Sequence, residues 1–158
     1  MMREQELVER LNARFSGLEA RVQRRQRVIV SATRELIPSV LLWLKEQAGY
    51  HQLTLISCVD WIEDGEFELV YHVASHASGI HVMVKARIDR DQPVMESIVP
   101  IYVPAQPYER EIHELFGVDF PGNPDLTPLY LDDWHELPPL RKDFDTKAYA
   151  QRTYDYEQ

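Results

Sequence analysis

Residues 52–88 decide the fold, and they read QLTLISCVDWIEDGEFELVYHVASHASGIHVMVKARI. Three runs in this stretch are rich in Val, Ile, Phe and Tyr, the residues that favour strands, and they cover 52–62, 66–75 and 80–88. The turn-forming sequences Glu-Asp-Gly and His-Ala-Ser-Gly separate the runs. In the middle run, alternate residues from Phe67 to Val73 are apolar and are predicted to face the core. The pattern predicts a three-stranded meander with one core face and one half-wet face.

Two helices and a hairpin are predicted before the meander. Residues 4–15 carry apolar side chains at helical spacing and predict an amphipathic helix, which Gly17 ends. Short strand-like runs at 20–23 and 28–30 predict a hairpin. Residues 33–48 predict a second helix with Thr33 as its N-cap. The order α-β-β-α-β-β-β predicts an α+β fold, a two-layer sandwich with helices on one side of a largely antiparallel mixed sheet.

Residues 93–158 differ in character from residues 1–92, which we predict to be the α+β core domain. Nine of the ten prolines lie between Pro93 and Pro139, and proline disrupts long hydrogen-bonded elements. One run, 108–116, lacks Pro and Gly and is bounded by Pro107 and Gly117, a pattern typical of a short helix. The remaining apolar residues show no period. We therefore predict an extended Pro-rich C-terminal segment, with one short helix, that packs on a partner subunit.

Composition excludes several functional classes. The net charge of −9 lacks the basic footprint of a general nucleic-acid-binding protein. The single cysteine, Cys58, permits no internal disulfide and cannot supply the four thiolates that an iron–sulfur cluster usually takes. The longest mostly apolar stretch, 36–44, has nine residues, against the roughly 20 that span a bilayer. The N-terminus has no secretory h-region, so we expect a cytoplasmic protein that is soluble when expressed alone.

The charge is unevenly distributed along the chain. Residues 1–34 contain eight Arg and four Glu, whereas residues 35–158 contain nine Lys or Arg and 22 acids. The net charges are therefore +4 and −13. The N-terminal arginines are available to an acidic partner, although a solvated helix face followed by a strand produces the same pattern.

Two other patterns leave alternative functions open. Glu109 and Glu111 are paired carboxylates of the kind a soluble hydrolase uses as acid and base, but two residues apart on a helix they point to different sides. His72, His76 and His81 are close enough in the predicted strands for a metal site, although no Cys or His-Glu motif supports one. No G-x-G phosphate-binding motif is present. A generic adaptor unrelated to redox chemistry is a further alternative.

One long run carries a specific resemblance. Residues 108–126 read YEREIHELFGVDFPGNPDL, and Asp133-Trp134 and Pro139-Leu-Arg-Lys-Asp-Phe144 follow. This set resembles the signature of the C subunit of proton-pumping NADH:quinone oxidoreductase, respiratory complex I. Val59-Asp60-Trp61 and the sequence FELVYH at 67–72 are similar to the sheet of the same family, so the resemblance covers residues 5–145.

The resemblance implies a peripheral subunit without a cofactor, on the cytoplasmic side of the inner membrane and attached to it only through the complex. Its implied partners are the hydrogenase-like large (D) subunit and the small iron–sulfur subunit, which hold the iron–sulfur clusters. The chain would be part of an oxidoreductase with no autonomous active site. Nine residues are then predicted to dock the large subunit, and we call them the signature residues: Glu109, Arg110, Glu111, Glu114, Gly117, Asp125, Arg141, Lys142 and Asp143.

Two positions depart from the family pattern. Asn123 stands where His or Lys is expected, and Thr127 where Lys, Arg or Pro is expected. With the Pro138-Pro139 pair, these positions make the chain similar to the equivalent subunit of energy-converting, membrane-bound nickel–iron hydrogenases. The large subunit of such a complex also holds nickel. Both versions therefore stay open, and with them the electron donor, the acceptor and the pumped ion.

Overall fold

The computed structural model describes residues 2–154, so the last four residues of the predicted extension lie outside it. In chain order its elements are α1 (Glu4–Arg14), β1 (Leu18–Arg24), β2 (Arg27–Ala32), α2 (Ile37–Ala48), β3 (Gln52–Trp61), β4 (Glu66–Ala74), β5 (His81–Asp89), α3 (Ala105–Phe116) and α4 (Thr146–Tyr154). The predicted order is confirmed through β5. Among these described elements, no helix combines the length and the apolar character needed to cross a bilayer.

The five strands form one mixed sheet in the order β1-β2-β5-β4-β3. β2 and β5 pair in parallel, and the other three pairs are antiparallel. The parallel pair arises because the chain leaves β2, runs through α2 and the β3–β4 hairpin, and then returns beside β2 as β5. The predicted α+β fold with a largely antiparallel mixed sheet is therefore confirmed.

Helices α1 and α2 pack on one face of the sheet through their apolar stripes. Leu11 of α1 and Leu44 of α2 are fully buried and share one core with the alternate residues of β4 from Phe67 to Val73. Val70 and Ile29 have the opposite parity along their strands, and they lie outside that core. The sheet therefore has a core face, covered by helices, and an outer face.

The core does not end at residue 92, where the sequence predicts the domain boundary. Met95, Ile98, Ile112 and Phe120 are at most 3% exposed and belong to the same core as the sheet. Beyond Phe120, the described residues include no buried side chain. The predicted boundary thus divides the core, because prolines prevent strand ladders but leave apolar side chains free to pack.

The described part of the extension, residues 93–154, contains two helices, so the prediction of a single one was wrong. Helix α3 begins at Ala105, three residues before the predicted start, because Pro107 falls in the first turn, where its missing N–H leaves no bond unmade. The sequence of helix α4 has no periodic pattern of apolar residues that would predict a helix. Its Tyr149 packs on Trp134 and Phe144, with ring centroids 4.9 and 5.7 Å away. Tertiary aromatic packing, rather than local periodicity, stabilises this short helix.

Candidate docking surface

Glu109 lies in the interior of the chain and not on a surface. It is 0% exposed. One carboxylate oxygen accepts hydrogen bonds from the Ser97 hydroxyl at 2.7 Å and the Asn123 amide at 2.8 Å, and the other accepts one from the Ile98 backbone N–H at 2.8 Å. Direct docking of a partner by Glu109, as predicted, is incompatible with this burial. Its carboxylate instead fastens two loops of its own chain to α3.

The departure at Asn123 has an electrostatic consequence. Where the family pattern expects His or Lys, the neutral amide of Asn123 donates to Glu109 without bringing a positive charge. Burial therefore dominates and raises the pKa of Glu109, and the three hydrogen bonds offset this effect only in part.

Arg110 binds the loop that follows the core. Its guanidinium donates to the carbonyl oxygens of Thr127 and Pro128 and to the Thr127 hydroxyl, at 2.5 to 3.1 Å. It also lies 3.7 Å from the carboxylate of Asp125. Asp125 in turn accepts hydrogen bonds from the hydroxyl and backbone N–H of Thr127, which lower its pKa. These contacts turn the chain back against α3.

Glu114, one helical turn after Arg110, holds the next part of the same loop. Its carboxylate accepts hydrogen bonds of 2.6 to 3.1 Å from the consecutive backbone N–H groups of residues 129–131. Burial alone would raise the pKa of Glu114, but these N–H bonds outweigh it and lower the pKa. The i and i+4 side chains of α3 therefore grip residues 127–131 from one helix face.

A buried ion-pair network fixes the sequence Arg141-Lys142-Asp143 to the sheet. Arg90, only 7% exposed, donates to both carboxylate oxygens of Asp60 on β3, at 2.7 and 3.0 Å. It also donates to Asp143 at 2.9 Å, and Arg141 donates to the same carboxylate at 3.1 Å. These bonds, from Arg141 first and then Arg90, hold the pKa of Asp143 well below its usual range. The Lys142 backbone N–H completes the network by donating to Asp60 at 2.8 Å.

Gly117 lets the returning chain approach the end of α3. Its φ is +81°, in the left-handed region that favours glycine. A Cβ at this position would lie 3.1 Å from the Pro138 ring. Nearby, the backbone N–H of Leu140 donates to the carbonyl oxygen of Leu115 at 3.0 Å. A side chain at 117 would therefore separate the helix end from residues 138–140.

The structure leaves two signature side chains free of internal bonds. Within residues 2–154, the side chains of Glu111 and Lys142 make no hydrogen bond or ion pair; Glu111 is half-buried and Lys142 is exposed. The extension also presents four large apolar side chains that are 45–62% exposed, and we call them the extension surface: Leu129, Tyr130, Leu137 and Leu140. The signature thus mostly folds the extension, and the surface available to a partner consists largely of other residues.

The alternative sites from the sequence are not assembled. Glu109 has no solvent exposure through which a hydrolase substrate would reach it. The rings of His72 and His81 lie 5.2 Å apart, but His76 is exposed in the turn, and the described chain holds no group of three or more candidate metal ligands. Burial raises the pKa of the Cys58 thiol to about 12, which disfavours the nucleophilic thiolate.

Sequence reasoning missed the residues that hold the signature in place. Asp60, Arg90 and Ser97 were not singled out, yet each is buried and bonds a signature residue. Asp60 carried a usable signal, because an acid at a core-facing position of an apolar strand is rarely buried without a partner.

Comparison with known proteins decides the family. The model for the respiratory-chain NADH dehydrogenase 30 kDa subunit matches residues 30–150. The chain belongs to this family. The resemblance to the C subunit of complex I is thereby confirmed.

Relatives in the family match almost the full length of the chain. It is 37% identical over 142 residues to the C subunit of F420H2 dehydrogenase from Methanosarcina mazei, covering 88% of this chain and 90% of the relative. It is 34% identical over 137 residues to the C subunit of NADH-quinone oxidoreductase from Moorella thermoacetica, covering 87% and 92%. A chain of the membrane-bound sulfane sulfur reductase, an archaeal respiratory membrane complex, superimposes with a TM-score of 0.89 at 35% identity, covering 98% and 92%. The 30 kDa family therefore includes subunits of several oxidoreductase complexes.

Proposed function

We propose that the chain is a cofactor-free peripheral-arm subunit of a membrane-bound, ion-pumping electron-transfer complex. In this role it docks the hydrogenase-like large (D) subunit and contacts the small iron–sulfur subunit, on the cytoplasmic side of the membrane. The observation that carries the proposal is the build of residues 121–154, which contain no buried side chain but are fastened to the core through Asp60, Arg110 and Glu114.

The fastening prepares the extension surface for binding. Leu129, Tyr130, Leu137 and Leu140 point outward from a segment whose backbone is already fixed by hydrogen bonds. A preformed surface loses less conformational entropy on binding than a free segment does. Burial of the exposed leucine and tyrosine side chains against a partner removes apolar area from water, which favours binding. The extension is therefore built to bind rather than to catalyse.

Paired substitutions on the extension surface test this function. We expect Leu137→Asp with Leu140→Asp to reduce the amount of large subunit that co-purifies with the chain by about tenfold or more, because two charges would be buried at the interface. Leu42→Asp, at a 41% exposed leucine of α2, is the matched control and should leave assembly unchanged. Native gels beside specific activity give the readout. Normal assembly with an inactive complex would refute docking.

The redox groups lie on the partner subunits in this proposal. A lone Cys58 with a raised pKa does not provide the thiolates of a cluster. Metal analysis and an absorption spectrum of the purified chain provide the check. We expect neither iron nor nickel in stoichiometric amount. A stoichiometric visible chromophore would contradict the proposal.

In a second version of the proposal, the complex is a membrane-bound nickel–iron hydrogenase and the chain is its equivalent subunit. The superposition on a chain of the archaeal sulfane sulfur reductase supports considering membrane complexes other than the NADH:quinone type. The large subunit that co-purifies with this chain distinguishes the versions. Two Cys-x-x-Cys pairs in that subunit would provide nickel ligands and indicate the hydrogenase, whereas their absence would indicate the NADH:quinone type.

A further inference from the structure

The turn between β1 and β2 concentrates positive charge. Four arginines lie within seven residues: Arg21, Arg24, Arg25 and Arg27. The first three are exposed and Arg27 is half-buried. Across the described residues none of them makes an ion pair or a side-chain hydrogen bond, although the chain has 26 acids against 17 Lys and Arg. No ion pair within the described residues therefore neutralises these four charges, and Glu4 is the carboxylate that Arg25 influences.

Two other elements fix this turn. Gln26, between the arginines, has a φ of +59°, which is uncommon for a residue other than glycine. Its backbone N–H donates to the Glu4 carboxylate of α1 at 2.7 Å, and its carbonyl oxygen accepts from the His81 backbone N–H at 2.9 Å. Such backbone strain persists only where the surroundings determine it. The arginines are therefore presented on a fixed turn, with Glu4 as the carboxylate bonded to it.

The arginines continue onto the outer face of the sheet. In the strand register Arg27 lies opposite His81, and Arg21 lies opposite Ile29. The side chains of these two pairs therefore lie on the face of the sheet opposite to that of the core residue Val82. His72 of β4 lies on the same face, with its ring centroid 5.2 Å from that of His81. The helix residues that form the core pack on the other face.

Two ring nitrogens on this face lack hydrogen-bond partners. Nε2 of His72 and Nδ1 of His81 are buried, and neither has a partner among the described residues. Buried polar atoms in folded proteins are nearly always bonded, so two orphaned ring nitrogens are an exception that a further hydrogen-bond partner would remove. Arg27 lies beside both rings, and an anionic oxygen is the partner that suits a guanidinium and an imidazole N–H together.

We infer that these six residues, the basic corner, bind an acidic segment of a partner protein: Arg21, Arg24, Arg25, Arg27, His72 and His81. Asp or Glu carboxylates of that segment pair with the exposed arginines, and the two imidazoles turn from their buried positions to donate hydrogen bonds to the same carboxylates. A short protein segment is favoured over a lipid surface or a nucleic acid, because the net charge of −9 repels an extended polyanion while a short segment meets only the corner.

The arginines of the basic corner and the attachment of the extension lie towards opposite edges of the sheet. The arginines lie on β1, β2 and the turn between them, whereas the extension is fastened to β3 through Asp60 and Thr54. One chain can therefore contact two partners, or two parts of one partner, at the same time. The corner does not depend on the proposed docking of the extension, and each surface has its own test.

Binding of a defined peptide tests the corner. The probe is a synthetic ten-residue glutamate-rich peptide titrated calorimetrically into the full chain at low ionic strength, with the corresponding glutamine-rich peptide as control. We expect Arg24→Gln with Arg25→Gln to weaken binding about tenfold or more. The matched pair Arg14→Gln with Lys147→Gln, which removes the same charge elsewhere, should change the affinity less than about twofold. Equal weakening by both pairs, or no binding by the wild type, would overturn the proposal.

Imidazole resonances locate the bound peptide. We expect the ring nitrogen signals of His72 and His81 to shift on titration and those of the exposed His51 to stay in place. Peptide binding without these shifts would overturn the assignment to the corner. Vesicles of phosphatidylglycerol and a DNA duplex are titrated in parallel. Binding of either, sensitive to Arg24 and Arg25 and tighter than that of the peptide, would overturn the choice of an acidic protein segment.

Discussion

Glu109 organises two loops from inside the core, and its hydrogen-bond donors test that role at the scale of a single residue. Ser97→Ala removes the hydroxyl that donates to this buried carboxylate at 2.7 Å. We expect a loss of about 1–3 kcal/mol of unfolding free energy, because the carboxylate stays buried with one donor fewer. Urea unfolding at neutral pH measures the loss. Ser31→Ala, at an exposed position of β2, is the control, and equal stability of both variants would argue against the role.

Gly117 offers a second residue-scale prediction with an internal control. Gly117 and Gly49 both end helices with φ near the same value, +81° and +80°, but only at Gly117 would an added Cβ have a neighbour, Pro138, within 4 Å. Gly49→Ala should therefore lose about 1–2 kcal/mol of unfolding free energy, from backbone strain alone. We expect Gly117→Ala to lose more unfolding free energy and to reduce assembly with the large subunit as well. Equal losses in thermal unfolding would show that the approach of Pro138 is unimportant.

At the scale of elements, the network of Asp60, Arg90 and Asp143 contributes to the pH dependence of the extension, beside Glu114 and Asp125, whose pKa values are also lowered. The pKa of Asp143 is well below its usual range and that of Asp60 is also lowered. A carboxyl group whose pKa is lower in the folded state stabilises that state at pH values above its unfolded-state pKa, which is about 3.9 for Asp. This stabilisation is lost as the pH falls through the folded-state pKa. We expect the wild type to lose stability between about pH 5 and pH 2.

Asp143→Asn removes one titrating group from this network. The free energy of unfolding by urea should therefore fall less steeply with acid in this variant than in the wild type. Asp145→Asn, two residues away, is the control. A pH profile of Asp143→Asn that superimposes on that of the wild type would mean that Asp143 does not attach the extension.

Assembly and turnover separate docking from catalysis at the scale of the whole molecule. Arg141 donates to Asp143, which ties the returning chain to the sheet. Arg141→Ala should therefore deplete the assembled complex, while the activity of each surviving complex stays near normal. Native gels and specific activity give the two quantities, and Lys147→Ala is the exposed control. Full assembly with turnover reduced by about a hundredfold would instead indicate a catalytic role.

The candidate site was only partly predictable from sequence. The run from Tyr108 to Leu126 and the Arg-Lys-Asp triplet lie within the part of the chain that the family model matches, but the sequence did not predict the direction of their side chains. Glu109 turns inward and Asp143 bonds Arg90 across 53 residues, while the side chains of Glu111 and Lys142 make no bond within residues 2–154. Residue spacing along a helix shows which side chains share a face, but it does not show which face the rest of the chain buries.

The sequence by itself determined the strands between residues 52 and 88 and the element order through β5, because periodicity of apolar residues reports local burial. The family was recognisable from a resemblance carried by the residues between Tyr108 and Phe144. Only the tertiary structure decided that the core extends to Phe120, that α4 forms on Trp134, and that Asp60 receives Arg90. The physical reason is common to all three. Each depends on contacts between residues far apart in the chain, which the sheet register and the path of the Pro-rich segment bring together.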